Sequence, residues 1–459
     1  AEHPYWKLGV FKVRLPFIHY RIELPEAIQG IVIVTVSMGA IAAQQEVLGI
    51  PYDLGILMVS LNTLLYFLHP TFGDAVFPGW ITPAIPLITA WALTFGEGTP
   101  RIQAIIALQF TMAFVFLFLG ITGLAKKVMR RVPTYLRGGI ILGSGVSAVM
   151  AVFKTGGRIS TNMWSIIIGC IFCYALMNAE WYANLAKKNP FLMFLRKLGM
   201  IPGILVGYVV GSAVGEIAAP VIQHGIIPFG RWGEIISGYT IFGVGFPGVS
   251  FFISAIPVAV SCYIIAFGDF VLAESVAMAA NKERDDELIE FNTNRSNIIA
   301  GARNLIMGLV SPYVPMCGPL WAGGTMSVSE RYKSGRAQMD CIWSGLGTYI
   351  LFNFLATLSY TIMSFFSPIY TLGLSLTYLV QAFGCGYVAM DMLKAQEEKG
   401  MGLVTGAVLA SMGAAWGLGV GIALYFVVGL TKKTKEMRAA ESRELIAAEA
   451  EKAAKMARK

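Results

Sequence analysis

The chain has 459 residues, 56% of them hydrophobic and 14% charged, with a formal net charge of +8 and a mean hydropathy of +0.65. A soluble chain carries about 25% charged residues, so this composition excludes an ordinary soluble globular protein. The apolar runs are continuous and roughly 20 residues long, which excludes an alternating β-barrel pattern and leaves membrane helices.

In chain order, residues 1–25 are amphipathic and aromatic, with Lys7, Lys12, Arg14 and Arg21. They carry no signal-peptide cleavage pattern and read as an interfacial arm. About fourteen membrane segments follow, near 26–48, 53–70, 79–95, 101–124, 134–153, 163–183, 199–219, 248–279, 296–311, 316–330, 340–366, 369–391, 400–411 and 414–431. The third and tenth are short and interrupted, and the last two are one apolar stretch divided into a tight hairpin. With the N-terminus in the cytoplasm, this threading puts 30 of the 35 Lys and Arg residues on the cytoplasmic side. That is the expected bias of membrane proteins. It accounts for the net charge without nucleic acid and places both termini in the cytoplasm, in a bacterial inner membrane. Residues 432–459, rich in Ala, Glu, Lys and Arg, read as a solvated cytoplasmic helix.

The cysteines Cys170, Cys173, Cys262, Cys317, Cys341 and Cys385 lie mostly in apolar segments and read as packing residues, with no metal site. No cofactor is expected. The G-x-x-x-x-G-K-[ST], H-E-x-x-H and G-x-S-x-G signatures are absent, so the chain reads as neither an ATP-driven pump nor a hydrolase, and as no enzyme.

Seven spans plus seven would form an inverted repeat, because an odd number flips orientation. The fifth span opens Pro133-Thr134-Tyr135-Leu136-Arg137-Gly138 and the twelfth Pro368-Ile369-Tyr370-Thr371-Leu372-Gly373, both P-x-Y-x-x-G and 235 residues apart. Pro78 and Pro83 lie opposite Pro315 and Pro319 at offsets of 237 and 236. The organisation expected is an arm (1–25), a first repeat (26–220), an extracytoplasmic loop (221–247), a second repeat (248–431) and the tail (432–459).

The interrupted spans point to the site. Proline lacks a backbone donor, so Phe77–Pro86 and Pro315–Thr325 should each be extended before a half-helix begins. Non-helical backbone at membrane depth must be buried or line a cavity. Half-helix N-termini present free N–H groups and a positive dipole end, which suit an anion or carbonyl oxygens. The candidate substrate-binding residues are therefore Thr82, Pro83, Ala84, Trp321, Ala322, Gly323, Gly324 and Thr325, with Trp80 or Trp321 able to stack on a planar ring. Ionisable residues within spans are costly and mark function. Glu274 in the eighth span is the leading substrate or proton site, and Asp269, Glu46 and Arg303 are further coupling candidates. His69, beside Pro70, reads as an interfacial histidine.

The stretch Phe267-Gly268-Asp269-Phe270-Val271-Leu272-Ala273-Glu274-Ser275-Val276 resembles the "A-E-H-x-G" helix of the nucleobase–ascorbate transporters, the xanthine/uracil permeases. The Asn- and Gly-containing segment Asn297–Gly308, the ending Ser327–Arg331 and Ile201–Tyr208 are similar to that family's ninth, tenth and seventh spans. The resemblance in layout runs to about residue 431. It implies an all-α polytopic membrane protein with a core (spans 1–4 and 8–11) and a gate (spans 5–7 and 12–14), homodimeric through the gate, taking up a nucleobase with a proton. It also implies that Glu274 is the substrate-binding glutamate. The family's second glutamate would fall in Trp321–Thr325, where there is no carboxylate. The same fold serves sulfate permease and bicarbonate anion transporters, and a missing carboxylate between positive dipole ends favours an anion. The leading expectation is thus an elevator-type secondary transporter for a small polar solute such as a nucleobase. The alternatives are a small-anion transporter of the same fold and a non-transporting membrane subunit that scaffolds partners.

Overall fold

The structure, a computed structural model, describes residues 2–457. The arm is a short antiparallel hairpin, β1 (Trp6–Leu8) and β2 (Phe11–Val13), with Lys7 opposite Lys12. An amphipathic arm thus becomes a two-stranded flap, because Gly9 takes a positive φ of 59° and turns the chain back. The first span is broken into α1 (Leu24–Val32), α2 (Val34–Ser37) and α3 (Gly39–Leu48). After it come α4 (Tyr52–Leu65), α5 (Leu68–Thr71), β3 (Gly79–Trp80), a 3-10 turn at Thr82–Ala84, α6 (Ile85–Ala92) and α7 (Thr99–Thr122). The next group is α8 (Ala125–Arg131), α9 (Thr134–Phe153), α10 (Met163–Asn178), α11 (Glu180–Lys188), α12 (Pro190–Lys197) and α13 (Ile201–Ala213). Residues 221–247, expected as a loop, hold two short helices, α14 (Trp232–Tyr239) and α15 (Ile241–Val244). The remainder is α16 (Val249–Glu283), α17 (Thr293–Val310), β4 (Cys317–Gly318), α18 (Ala322–Lys333), α19 (Ile342–Leu358), α20 (Tyr360–Phe365), α21 (Tyr370–Met392), α22 (Gln396–Met412), α23 (Ala414–Val427) and α24 (Lys432–Ala457).

The protein is an all-α polytopic membrane protein. Among the described residues six helices are long and apolar enough to cross a membrane, or nine if each bent pair is one span. The other expected segments fall short for physical reasons. The Pro-rich spans spend half their length as strand and turn, leaving 8 residues in α6 and 12 in α18. Although α17 has 18 residues, it carries Asn294, Arg295, Asn297, Arg303 and Asn304, all inward or near a helix end.

Packing between elements follows a pseudo-twofold pattern. Helix α17 packs on α7 as α4 packs on α19, and α16 packs on α7 as α1 packs on α19. The two helices with matching P-x-Y-x-x-G openings, α9 and α21, pack against each other. The final hairpin is present. Gly413 has a φ of 92°, and Gly417 faces Leu409 while Gly421 faces Thr405, which is an antiparallel register about that glycine. No side chain fits at Gly139 or Gly143 either, where a Cβ would meet the Gly402 and Gly406 carbonyls at 2.8 and 2.7 Å, so α9 and α22 touch backbone to backbone.

The segments expected on one membrane face meet one another. Lys12 pairs with Glu290 and Arg331 with Glu23 and Glu26; Arg284 bonds the Asp340 carbonyl, and Arg438 of α24 lies 2.5 Å from Glu398. On the opposite set, Arg158 pairs with Glu46 and Arg231 with Asp53. At the head of α1, burial works to raise the Glu23 carboxyl, but bonds from the Asp340 N–H, Arg21 and the Ser344 hydroxyl outweigh it and hold it below its ordinary value. Its stabilisation is therefore present above the ordinary carboxylate range and lost as pH falls through the lowered value. Glu23→Gln is expected to lower the melting temperature in detergent at pH 7, by about 1–3 kcal/mol of stability. The difference should shrink on acidification; a pH-independent difference would show that shape rather than charge is at work.

Candidate substrate site between two broken helices

The third and tenth segments cross where each is extended. β3 and β4 pair antiparallel, with Gly79 opposite Gly318 and Trp80 opposite Cys317. The pairing is extended by Ile81 N–H to the Met316 carbonyl (3.0 Å) and Trp321 N–H to the Phe77 carbonyl (2.7 Å). Glycine is needed on both strands. A Cβ at Gly79 would meet the Leu320 carbonyl oxygen at 2.9 Å, and one at Gly318 the Trp80 carbonyl carbon at 2.8 Å.

Under this crossing lies Arg303 of α17, fully buried. Its guanidinium donates to the Gly318 carbonyl (2.8 Å) and the Gly79 carbonyl (3.2 Å), one from each strand. It also lies over the Tyr66 ring and faces His69 Nε2 at 3.3 Å. His69 Nδ1 in turn is 3.0 Å from Asp74, which pairs with Arg295. No carboxylate among the described residues lies within ion-pair distance of Arg303. The buried group therefore holds two guanidinium charges and one carboxylate, a net positive charge beneath the crossing.

The two half-helices are unequal. At the start of α18 the N–H groups of Ala322, Gly323 and Gly324 have no acceptor among the described residues, and Trp321 supplies no side-chain cap. At the first half-helix Pro83 and Pro86 remove two donors and the Ala84 N–H already bonds the Ile81 carbonyl. Free backbone donors thus come chiefly from α18.

A cavity of about 440 Å³ opens beside the crossing. One wall is formed by α1, α2, the Phe77–Pro83 segment, Asp269 of α16, the start of α18 and α19. The other is formed by α10, the α12–α13 bend and α21. Phe77, Trp321 and Tyr349 meet edge to face at 5.0–6.0 Å and close its floor.

Of the expected binding residues, Thr82, Pro83, Trp321, Ala322 and Gly323 line this cavity, and so does Asp269. Glu274 does not. It is partly exposed and its carboxylate lies 3.2 Å from Lys126 Nζ. Five residues along an α-helix is a rotation of about 140°, so Asp269 and Glu274 point to different surroundings, and α16 brings the aspartate to the cavity. Thr325 is 1% exposed and bonds Phe77 N–H and two carbonyls, so it fastens the crossing. Ala84 is buried beneath the turn, and Gly324 makes room for the Trp321 ring. Glu46 is tied to Arg158 at the opposite face. His69 is fully buried in the Arg303 group and is not interfacial. Trp321 is committed to its aromatic neighbours rather than free to stack. The polar residues that the sequence reading passed over are Gln29, Ser37, Asn353, Thr377 and Gln381. Their signal was uncharged polarity inside apolar spans, which a search for ionisable groups does not register.

No protein-family profile matches the chain, and no curated protein matches it. Solved structures do. The transmembrane domain of a cyanobacterium bicarbonate transporter, BicA, superposes with a TM-score of 0.51 at 12% identity, covering 86% of this chain and 96% of that one. The overall structure of SLC26A9 gives 0.52 at 14% identity, covering 88% of this chain and 65% of that one. The murine Solute Carrier 26 family member A9 anion transporter in the inward-facing state gives 0.51 at 13% identity, covering 92% and 69%. At these identities the likeness establishes the fold. No family match accompanies the resemblance to nucleobase–ascorbate transporters.

Proposed function

We propose that this protein is a secondary transporter for a small anion, held at the N-terminus of α18. The observation that carries the reading is the buried Arg303, without a carboxylate partner among the described residues and bonded to both crossing strands, the second of which leads four residues later into α18, whose first N–H groups have no acceptor among the described residues. Positive potential there favours an anion. The solved structures of like fold are support of a second kind, since they include a bicarbonate transporter and an anion transporter. The nucleobase reading loses its ground, because the glutamate meant to hold the ring is paired with Lys126 outside the cavity. The cavity lies between two groups of helices, so an elevator motion of the 1–4 and 8–11 group against the rest would carry the ligand across. The orientation follows the cation-rich face inward, with both termini in the cytoplasm of a bacterial inner membrane.

Asp269 shares the cavity and has no ion-pair partner among the described residues. An anion beside an ionised carboxylate is repelled by several kcal/mol at the effective dielectric of a protein site. A proton taken by Asp269 on loading removes that repulsion and makes the cycle anion–proton symport. Uptake of labelled bicarbonate, sulfate, short carboxylates and uracil into proteoliposomes tests this. Saturable anion uptake driven by a proton gradient is expected, with Asp269→Asn transporting but indifferent to the gradient. Uracil uptake with no anion competition would overturn the reading.

A further inference from the structure

On the face that carries the cationic loops, away from the substrate cavity, three side chains from distant parts of the chain converge. They are His3 of the arm, Glu287 in the α16–α17 connection and Cys341 at the start of α19, with their ligand atoms all within 4.8 Å of one another. We infer that His3, Glu287 and Cys341 form a zinc site that fastens the N-terminal arm to the ends of α16 and α19.

The chemistry of the donors fits. Cysteine sulfur, imidazole nitrogen and a carboxylate oxygen are all ligands Zn²⁺ accepts, in a tetrahedral set. The His3 Nε2 to Cys341 Sγ separation is 3.6 Å. Two ligands at about 2.3 Å (sulfur) and 2.0–2.1 Å (nitrogen) from one tetrahedral zinc stand about 3.6 Å apart. Glu287 Oε2 accepts the Ile342 N–H at 3.1 Å, while Oε1 is buried and without a partner, an arrangement that ordinarily costs stability and that a cation relieves. The Ser344 N–H donates to Cys341 Sγ at 3.3 Å from the first turn of α19, which fixes the direction of the sulfur. A water would complete the fourth position, and metal binding would replace the hydrogen bond that His3 Nε2 makes with the His19 carbonyl oxygen.

The arm is already placed for this. Glu2 bridges to Leu288, and Arg14 donates to the His3 carbonyl at 2.9 Å while its guanidinium stacks on Trp343. In the sequence the cysteine alone gave only a packing reading, since its partners are 54 and 338 residues away.

The test uses the full chain in detergent, stripped with a chelator and titrated with Co²⁺ and then Zn²⁺ against a chromophoric competitor. One equivalent of metal should bind. Co²⁺ should give a thiolate charge-transfer band in the near ultraviolet and the strong visible bands of a tetrahedral site, which Zn²⁺ abolishes. Cys341→Ser should remove the charge-transfer band, and His3→Ala should weaken binding by at least 10-fold and leave the arm open to protease with Zn²⁺ present. His3 is only half-buried and lies on the arm outside the helical core, so His3→Ala keeps the test meaningful even if Cys341→Ser fails to fold. Binding of no metal at stoichiometric concentration, or a cobalt spectrum unchanged by both variants, overturns the inference.

Discussion

Arg303→Met is expected to abolish anion transport while the protein still reaches the membrane. Methionine fills much of the same volume but removes the charge and both carbonyl bonds. At a separation of roughly 8 Å and an effective dielectric of about 20, a lost unit charge weakens an anion by about 2 kcal/mol, or roughly 30-fold. Loss of the bonds to Gly79 and Gly318 adds a further effect, because the crossing is no longer held from below. Two charge-assisted bonds at about 1.5–3 kcal/mol each set the scale of the stability loss. Arg303→Lys separates the contributions. Lysine keeps the charge but cannot fork between two strands, so substrate affinity should survive better than thermal stability. If Arg303→Met transports at the wild-type rate, the anion is not held by this charge, and the functional reading fails with it.

The parts of the architecture that the sequence made legible are those with a one-dimensional signature. Apolar runs located α7, α9, α16 and α21 to within four residues, and the P-x-Y-x-x-G openings, read as counterparts in two repeats, belong to α9 and α21, which pack against each other. Proline and glycine at 78–86 and 315–325 marked the crossing, because proline interrupts the helix and Gly79 and Gly318 leave room for the opposing backbone. What escaped was rotation about the helix axis. Glu274 and Asp269 look equivalent along the chain, and only packing on α7 decides which one reaches the cavity. Thr325 was placed with the ligand-holding backbone of the broken span, yet its hydroxyl bonds Phe77 and Trp321 and fastens the crossing. Arg303 was picked out by charge alone, whereas its meaning lies in two carbonyls more than 200 residues apart in sequence.

Glycine at 324 is the second position where a small change should have a large effect. A Cβ built there would come within 2.3 Å of the six-membered ring of Trp321 and 3.1 Å of Phe77, which no real side chain tolerates. The ring cannot simply slide, because Phe77 and Tyr349 hold it edge-on. Gly324→Ala must therefore displace either Trp321 or the first turn of α18, and both lie at the cavity. Overpacking of this kind costs about 1–3 kcal/mol, and transport should fall by at least 10-fold. Gly323→Ala, whose nearest atom is 3.2 Å away on the same ring, should be milder. The cause can be isolated by a double-mutant cycle on melting temperature. In a Trp321→Ala background the Gly324→Ala substitution should cost almost nothing, since the obstructing ring is gone. Equal destabilisation in both backgrounds would mean that glycine is required for the backbone of α18 itself, and that Trp321 does not set the position of the donors.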